Sequence, residues 1–291
     1  MFEGVFPAII TPFLKDESLD EEGLKKNIRY LSNTGISGIV PCGTTGESAT
    51  LTFEEHKRVV EIAVEASKVP VIAGTGSNNT REAMELTRHA AEAGADAALL
   101  ITPYYNKPTD KGMFEHFKAI AEKCDIPIVL YNVPKRTGID LKPELVAKLS
   151  KVKNIVAIKE ASGNLSQQSQ IIEQTRGSDF VVLSGDDDLT LPTMALGARG
   201  VVSVVANVAP KKTVAMVNAA LKGDFETARK LHYELLPLVR AMFLETNPIP
   251  VKTAHKYLGL SNGPLRLPMS SMAPEKEATL KEILERLGEK A

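Results

Sequence analysis

The chain carries only two cysteines, Cys42 and Cys124. Two thiols are too few for a disulfide framework or a cysteine-rich metal site, and they fit a reduced, cytosolic protein. No apolar run reaches the roughly 18 residues that a membrane span needs. The opening Met-Phe-Glu-Gly leads into an apolar stretch with no basic segment before it, so no secretory signal is expected. An excess of one charge is also missing. Lys and Arg number 35 against 36 Asp and Glu, for a net charge of −1. That balance gives no support to a nucleic-acid or anionic-membrane partner. Phosphate-cradling loops are absent as well. No GxGxxG follows a strand-like run, no P-loop occurs, and GTGSNN at 74–79 lacks the third glycine.

What the chain does have is apolar material in a regular pattern. Hydrophobic residues make up 43% and charged residues 24% of the 291. This allows a large core and argues against disorder. Eight short strand-like runs stand out, at 5–10, 38–41, 69–73, 97–102, 127–131, 155–158, 180–184 and 200–204. They are nearly continuous in apolar residues, as parallel strands covered on both faces are. Segments with helical spacing lie between them, at 54–66, 80–93, 111–123 and 143–149. Glycine in EAGAD (92–96) and proline in SKVP (67–70) and KCDIP (123–127) punctuate the joints. Eight such units predict an α/β fold of the TIM (β/α)8-barrel type, with an open doubly wound sheet as the alternative. After about residue 208 the alternation gives way to helices. We expect a barrel over 1–225 and a C-terminal helical extension over 226–291 packed on it.

In such barrels the chemistry sits at the C-terminal ends of the strands. Those ends read PCGTTGES (41–48), AGTGSNN (73–79), TPYYNKP (102–108), LYNVPKRTG (130–138), AIKEASG (157–163) and LSGDDD (183–188). They are rich in Gly, Thr, Tyr, Asn and Lys, whereas the runs before them are apolar. Lys159 closes the sixth run. An amine held away from water has its charged form disfavoured, and it can attack a ketone to form an imine. Taken alone, a lysine there is more often a solvated surface residue. Tyr131 closes the fifth run, and adjacent strands lie about 4.8 Å apart. A phenol and an amine at neighbouring strand ends can serve one substrate, with the phenol as general acid and base. The same tyrosine alone reads equally well as a core plug. Gly43-Thr44-Thr45-Gly46 can bind a carboxylate through amides and hydroxyls, but ordinary turns look like this too. Arg136, on the loop after the fifth run, can hold a carboxylate bidentately or stand solvated. Asp186–Asp188 has no histidine at ligand spacing, so no metal is expected.

Together, GTTGE (43–47), AGTGSN (73–78), TPYYNKP, YNVPKRTG, IKEASG, SGDD and ETNPIPVK (245–252) resemble the dihydrodipicolinate synthase branch of the N-acetylneuraminate lyase superfamily. Seven pieces in order span essentially the whole chain. The resemblance implies an enzyme of lysine and diaminopimelate biosynthesis that condenses pyruvate with L-aspartate-4-semialdehyde, with no metal or organic cofactor. It implies Lys159 as the Schiff-base lysine and Tyr131 as the proton relay. Thr44 would join Tyr131 to Tyr105 of a second copy, within a homotetramer built as a dimer of dimers. Thr45, Gly185 and Val202 would line the pyruvate pocket, and Arg136 would hold the semialdehyde carboxylate. Ser48, Ala49, His56, Asn78, Glu82 and Tyr104 resemble the family's lysine-feedback site. Phe53 departs from it, since lysine-sensitive bacterial members carry histidine there, so lysine inhibition is left open. Two rivals stand beside this reading: an aldolase for 2-keto-3-deoxy sugar acids or sialic acid, and an inactive barrel that binds or scaffolds.

Overall fold

The computed structural model describes residues 2–288. The expected barrel (1–225) and extension (226–291) take in residues 1 and 289–291, which lie outside the described residues. The strands are β1 (Gly4–Pro7), β2 (Ile72–Gly74), β3 (Ala97–Ile101), β4 (Ile128–Asn132), β5 (Ile155–Glu160), β6 (Val181–Ser184) and β7 (Gly200–Ser203). The helices are α1 (Glu21–Ser32), α2 (Phe53–Ala66), α3 (Thr80–Ala93), α4 (Asp110–Lys123), α5 (Pro134–Thr137), α6 (Pro143–Leu149), α7 (Leu165–Gln174), α8 (Thr190–Leu196), α9 (Pro210–Leu221), α10 (Phe225–Ala241), α11 (Ile249–Tyr257) and α12 (Pro274–Leu287). Among the described residues no helix is long and apolar enough to cross a membrane.

The chain divides into two compact units. The first comprises residues 2–4 and 72–202. Here β2 to β6 pair in parallel in sequence order, and Ser184 of β6 pairs with Val201 of β7. Residues of β3, β4 and β5 are almost all buried, which is why these segments read as continuous apolar runs. Helix ends follow local chemistry. Asn79 and Thr109 accept backbone N–H bonds at the starts of α3 and α4, satisfying donors that the first turn leaves open. Gly94 ends α3 in the left-handed region, at φ 91°, where a Cβ is unfavourable.

The second unit comprises residues 5–71 and 203–288 and holds α1, α2 and α9 to α12. The strand expected over 38–41 is reduced to two isolated parallel bridges, Ile39 to Val71 and Val40 to Ala8. The reason lies at its ends. A Cβ on Gly38 would stand 2.7 Å from the Pro70 carbonyl, and Cys42 turns the chain away in the left-handed region at φ 54°. Ile39 and Val40 nevertheless stay fully buried.

The turn after this bridge is fixed by the C-terminal segment. Lys252 Nζ donates to Glu47 Oε1 at 2.5 Å and to the Pro264 carbonyl at 2.8 Å. Both charged side chains are 2% exposed. Burial holds the Lys252 ammonium below the usual lysine range, and Glu47 pulls it back up. Phe13 adds its ring face, 4.4 Å from Lys252 Nζ. Removing one member of a buried pair strands the other charge, at a cost of about 3–5 kcal/mol. Lys252→Ala should lower the urea unfolding free energy by about that amount. A loss below about 1 kcal/mol would show that Glu47 finds water instead.

Candidate active site

Within the first unit the strand register decides which side chains meet. Tyr131 of β4 pairs with Lys159 of β5, Ile101 of β3 with Tyr131, and Lys159 with Leu183 of β6. Tyr131 and Lys159 are each 7% exposed, and Lys159 Nζ lies 4.2 Å from the centre of the Tyr131 ring. Among the described residues the Lys159 amine has no hydrogen bond and no carboxylate within ion-pair distance. Lys252 is equally buried but is neutralised by Glu47. Of the two lysines buried among the described residues, Lys159 is the one whose amine is not already committed.

Gly185, just beyond β6, lies against this lysine. A Cβ there would stand 2.6 Å from the Ala161 Cβ and 3.1 Å from Lys159 Cγ and Cε. The next residue, Asp186, is half-buried. Burial raises its carboxyl above the usual carboxylate range and Asp188 adds to this, while Lys135 and Lys159 pull it down. Arg136 is exposed, on the single turn α5. Tyr105 is 89% exposed on a left-handed backbone at φ 68°. Val202 is buried in β7. Asn78 and Tyr104 are joined by a bond from Asn78 Nδ2 to the Tyr104 carbonyl at 3.2 Å. The Glu82 carboxylate is held by Ser77 at 2.8 Å and Asn79 at 3.0 Å.

Thr44, Thr45, Ser48, Ala49 and His56 belong to the second unit. Thr45 is 2% exposed and its Oγ1 accepts from Asn247 Nδ2 at 3.0 Å. Thr44 is half-buried, and its carbonyl accepts the Glu47 N–H at 3.1 Å. Ser48 starts a short 3-10 turn, with Ala49 exposed beside it. His56 is buried in α2.

Sequence reasoning missed the polar groups behind these residues. Asn132 and Glu160 follow Tyr131 and Lys159 and point to the opposite face of the strands, as alternation requires. Both are fully buried. Asn132 Nδ2 donates to Glu160 Oε2 at 2.9 Å and to Asp140 Oδ1 at 2.7 Å. The Ser162 N–H donates to Glu160 Oε1 at 2.7 Å. Alternation along KE and YN was the available signal. Asn247 is another omission: it stood in a quoted motif without a role.

A parallel ladder with a buried lysine and tyrosine side by side at its C-terminal end marks a class, the (β/α)8-barrel lyases that work through a lysine Schiff base. The chain belongs to the dihydrodipicolinate synthetase family, whose model matches residues 1–287. It is 69% identical to the 4-hydroxy-tetrahydrodipicolinate synthase of Methanothrix thermoacetophila, over 99% of this chain and 98% of that one. The crystal structure of dihydrodipicolinate synthase from Aquifex aeolicus matches at TM-score 0.96 and 50% identity, covering 99% of this chain and 98% of that one. A chloride-inhibited dihydrodipicolinate synthase from Acinetobacter baumannii complexed with pyruvate matches at TM-score 0.96 and 42% identity, covering 99% of each chain. The fold is thus the (β/α)8 barrel with a C-terminal helical extension.

Burial pushes the Glu160 carboxyl from an ordinary 4.5 up to about 7, against the bonds from Ser162 and Asn132. Between those values the native state keeps a proton that the unfolded chain has lost. This contribution to stability is complete below the unfolded value and is lost as pH rises through the folded one. The stability of the wild type relative to Glu160→Gln should therefore fall by up to about 3 kcal/mol between pH 4.5 and 7. A difference that stays flat across that window, in urea titrations, would show that the carboxyl is not shifted.

Proposed function

We propose that this chain is a 4-hydroxy-tetrahydrodipicolinate synthase, acting on pyruvate and L-aspartate-4-semialdehyde in lysine and diaminopimelate biosynthesis. The observation that carries the reading is the buried Lys159–Tyr131 pair at neighbouring strand ends. The Lys159 amine attacks the pyruvate ketone and expels water, leaving an imine. Tyr131 gives its proton to the imine nitrogen, the iminium acidifies the methyl group, the phenolate takes the methyl proton back, and the electron pair left behind forms the enamine. The enamine carbon attacks the semialdehyde carbonyl, and its oxygen takes a proton. The product's own amine then adds to the imine carbon and releases Lys159 as the ring closes. Every bond is made by the two substrates and one lysine, so the reaction calls for no metal or organic cofactor.

The other roles are those that the family resemblance implies. Thr45, Gly185 and Val202 line the pyruvate pocket, and Arg136 holds the semialdehyde carboxylate. Gly185 supports this by leaving room for the Lys159 stem. Thr44 passes protons between Tyr131 and Tyr105 of a second copy. An aromatic ring left 89% exposed on a left-handed backbone supports such a use. We propose a homotetramer, a dimer of dimers, in the cytoplasm, with the chain divided at about residue 225 into barrel and extension. Ser48, Ala49, His56, Asn78, Glu82 and Tyr104 are the residues for a lysine effector site, from whose sensitive pattern Phe53 departs. Absence of inhibition at millimolar lysine would remove that effector role.

The test is pyruvate consumption with L-aspartate-4-semialdehyde and, in parallel, with D-glyceraldehyde. Turnover of the semialdehyde should dominate and should vanish in Lys159→Ala. Tyr131→Phe should lower kcat by about 10²–10⁴-fold. Preference for glyceraldehyde would move the protein to the sugar-acid aldolases. Turnover unchanged by Lys159→Ala would exclude the Schiff base, and no turnover of any substrate would favour the scaffold.

A further inference from the structure

Behind the Tyr131–Lys159 pair lies a second set of polar groups for which the reaction has no direct use. Asn132 and Glu160 are the last paired residues of the β4–β5 ladder. Their side chains bond to each other at 2.9 Å across the strands, and both are fully buried. Each is anchored in turn. Asn132 Oδ1 accepts the Leu141 N–H at 3.0 Å. Asp140 Oδ1 accepts from Asn132 at 2.7 Å and from Gln167 of α7 at 2.9 Å. Glu160 Oε1 accepts the Ser162 N–H at 2.7 Å. The Glu160 carbonyl accepts the Gly185 N–H at 2.7 Å, and the Asn132 carbonyl accepts the Ala161 N–H at 2.9 Å. The tie thus reaches β4, β5, α7 and the start of the loop after β6.

Parallel strands have no side-chain fastening of their own at the point where the ladder ends. Beyond Asn132 and Glu160 the chains diverge, into α5 on one side and toward α7 on the other. The ends that carry Tyr131 and Lys159 would otherwise be free to slide or splay. A buried carboxylate and amide that bond face to face resist this, because separating them leaves both without partners in a dry interior.

We infer that Glu160, acting through Asn132, is a positioning residue that holds Tyr131 against the substrate carried on Lys159. This rests on the Schiff-base reading above and goes one step deeper. The two halves of the chemistry place different demands on the tie. Read at equilibrium with pyruvate, imine formation reports the Lys159 amine and the ketone, whatever the rate at which protons move. Removal of the methyl proton needs the phenol of one strand at the right place over a carbon bound to the other strand. A misplacement of about 1 Å can cost about a hundredfold in rate. Loosening the tie therefore strikes the second half.

The experiment separates the halves in the full-length protein. Borohydride reduction in the presence of pyruvate, read by mass spectrometry on Lys159, reports imine formation. Exchange of the pyruvate methyl protons with deuterium from solvent, read by NMR, reports proton removal. In Glu160→Gln the side chain keeps its size, but an amide cannot accept from both Ser162 and Asn132. Trapping should stay within about twofold of wild type while exchange falls by at least about tenfold. A purely structural Glu160 would lower both in proportion to the folded fraction, or neither, and either result overturns the inference. If Glu160→Gln does not fold, Asp140→Ala serves instead: Asp140 is half-buried, and its loss frees Asn132 from the α7 side. The same split supports the inference and its absence refutes it. If the wild type shows neither trapping nor exchange, it is the Schiff-base reading that fails.

Discussion

The chemistry proposed for this chain depends on one backbone pairing, that of Tyr131 with Lys159 in the β4–β5 ladder. Side chains on a strand alternate between faces, so a slip of one residue would exchange the whole set. In that shifted register Asn132 and Glu160 would meet different partners, and the phenol and the amine would part. The register is held by apolar packing on both faces. Leu130 and Ile158 pair directly below the site, and both are fully buried. The ladder is thus fixed by burial before any polar contact at its end is made.

Burial has opposite consequences for the two enclosed lysines. Lys252 sits with Glu47 at 2.5 Å and under the Phe13 ring. Its charge is answered, and it serves to hold the turn that follows Cys42. Lys159 has the Tyr131 ring beside its amine and acts on the Asp186 carboxyl, but makes no ion pair among the described residues. Lys159 is buried without a carboxylate ion pair, so its amine is left open for the use proposed for it. The contrast matters because a buried lysine is not by itself a sign of reactivity. The partner list separates the two cases.

Much of this was legible in the sequence. The continuous apolar runs marked β3 to β7 to within a residue or two and β1 and β2 to within three, and helical spacing marked α3 and α6 at the bounds observed. Lys159 and Tyr131 stood out because a strand end in a barrel is where polar groups face substrate. The run at 38–41 was overread. Apolar composition shows that a segment is buried, but whether it makes a full ladder depends on turns at its ends, and Cys42 takes a backbone that its residue type does not advertise. The Asn132–Glu160–Asp140–Gln167 set was not seen for another reason. Its bonded partners lie 8 to 28 residues apart, and they become neighbours only through the fold. The bond from Asn247 to Thr45 spans 202 residues, and no local pattern carries it.

These hidden groups share a design. In the first unit the Tyr131–Lys159 pair is backed by Asn132 and Glu160, and Gly185 is hung from the Glu160 carbonyl. In the second, the GTTGE turn is held by Asn247 on Thr45 and by Lys252 on Glu47. In each case a residue proposed to meet substrate is fixed by a buried polar neighbour that does not need to. This division follows from the energetics of preorganisation. A reacting group must keep part of its hydrogen-bonding capacity for the transition state, so it cannot also be the anchor. Anchors gain rigidity from burial and bonding, as Asn132 and Glu160 do on the strand face away from Tyr131 and Lys159. Alternation along a strand supplies both positions in two consecutive residues, Tyr131 with Asn132 and Lys159 with Glu160.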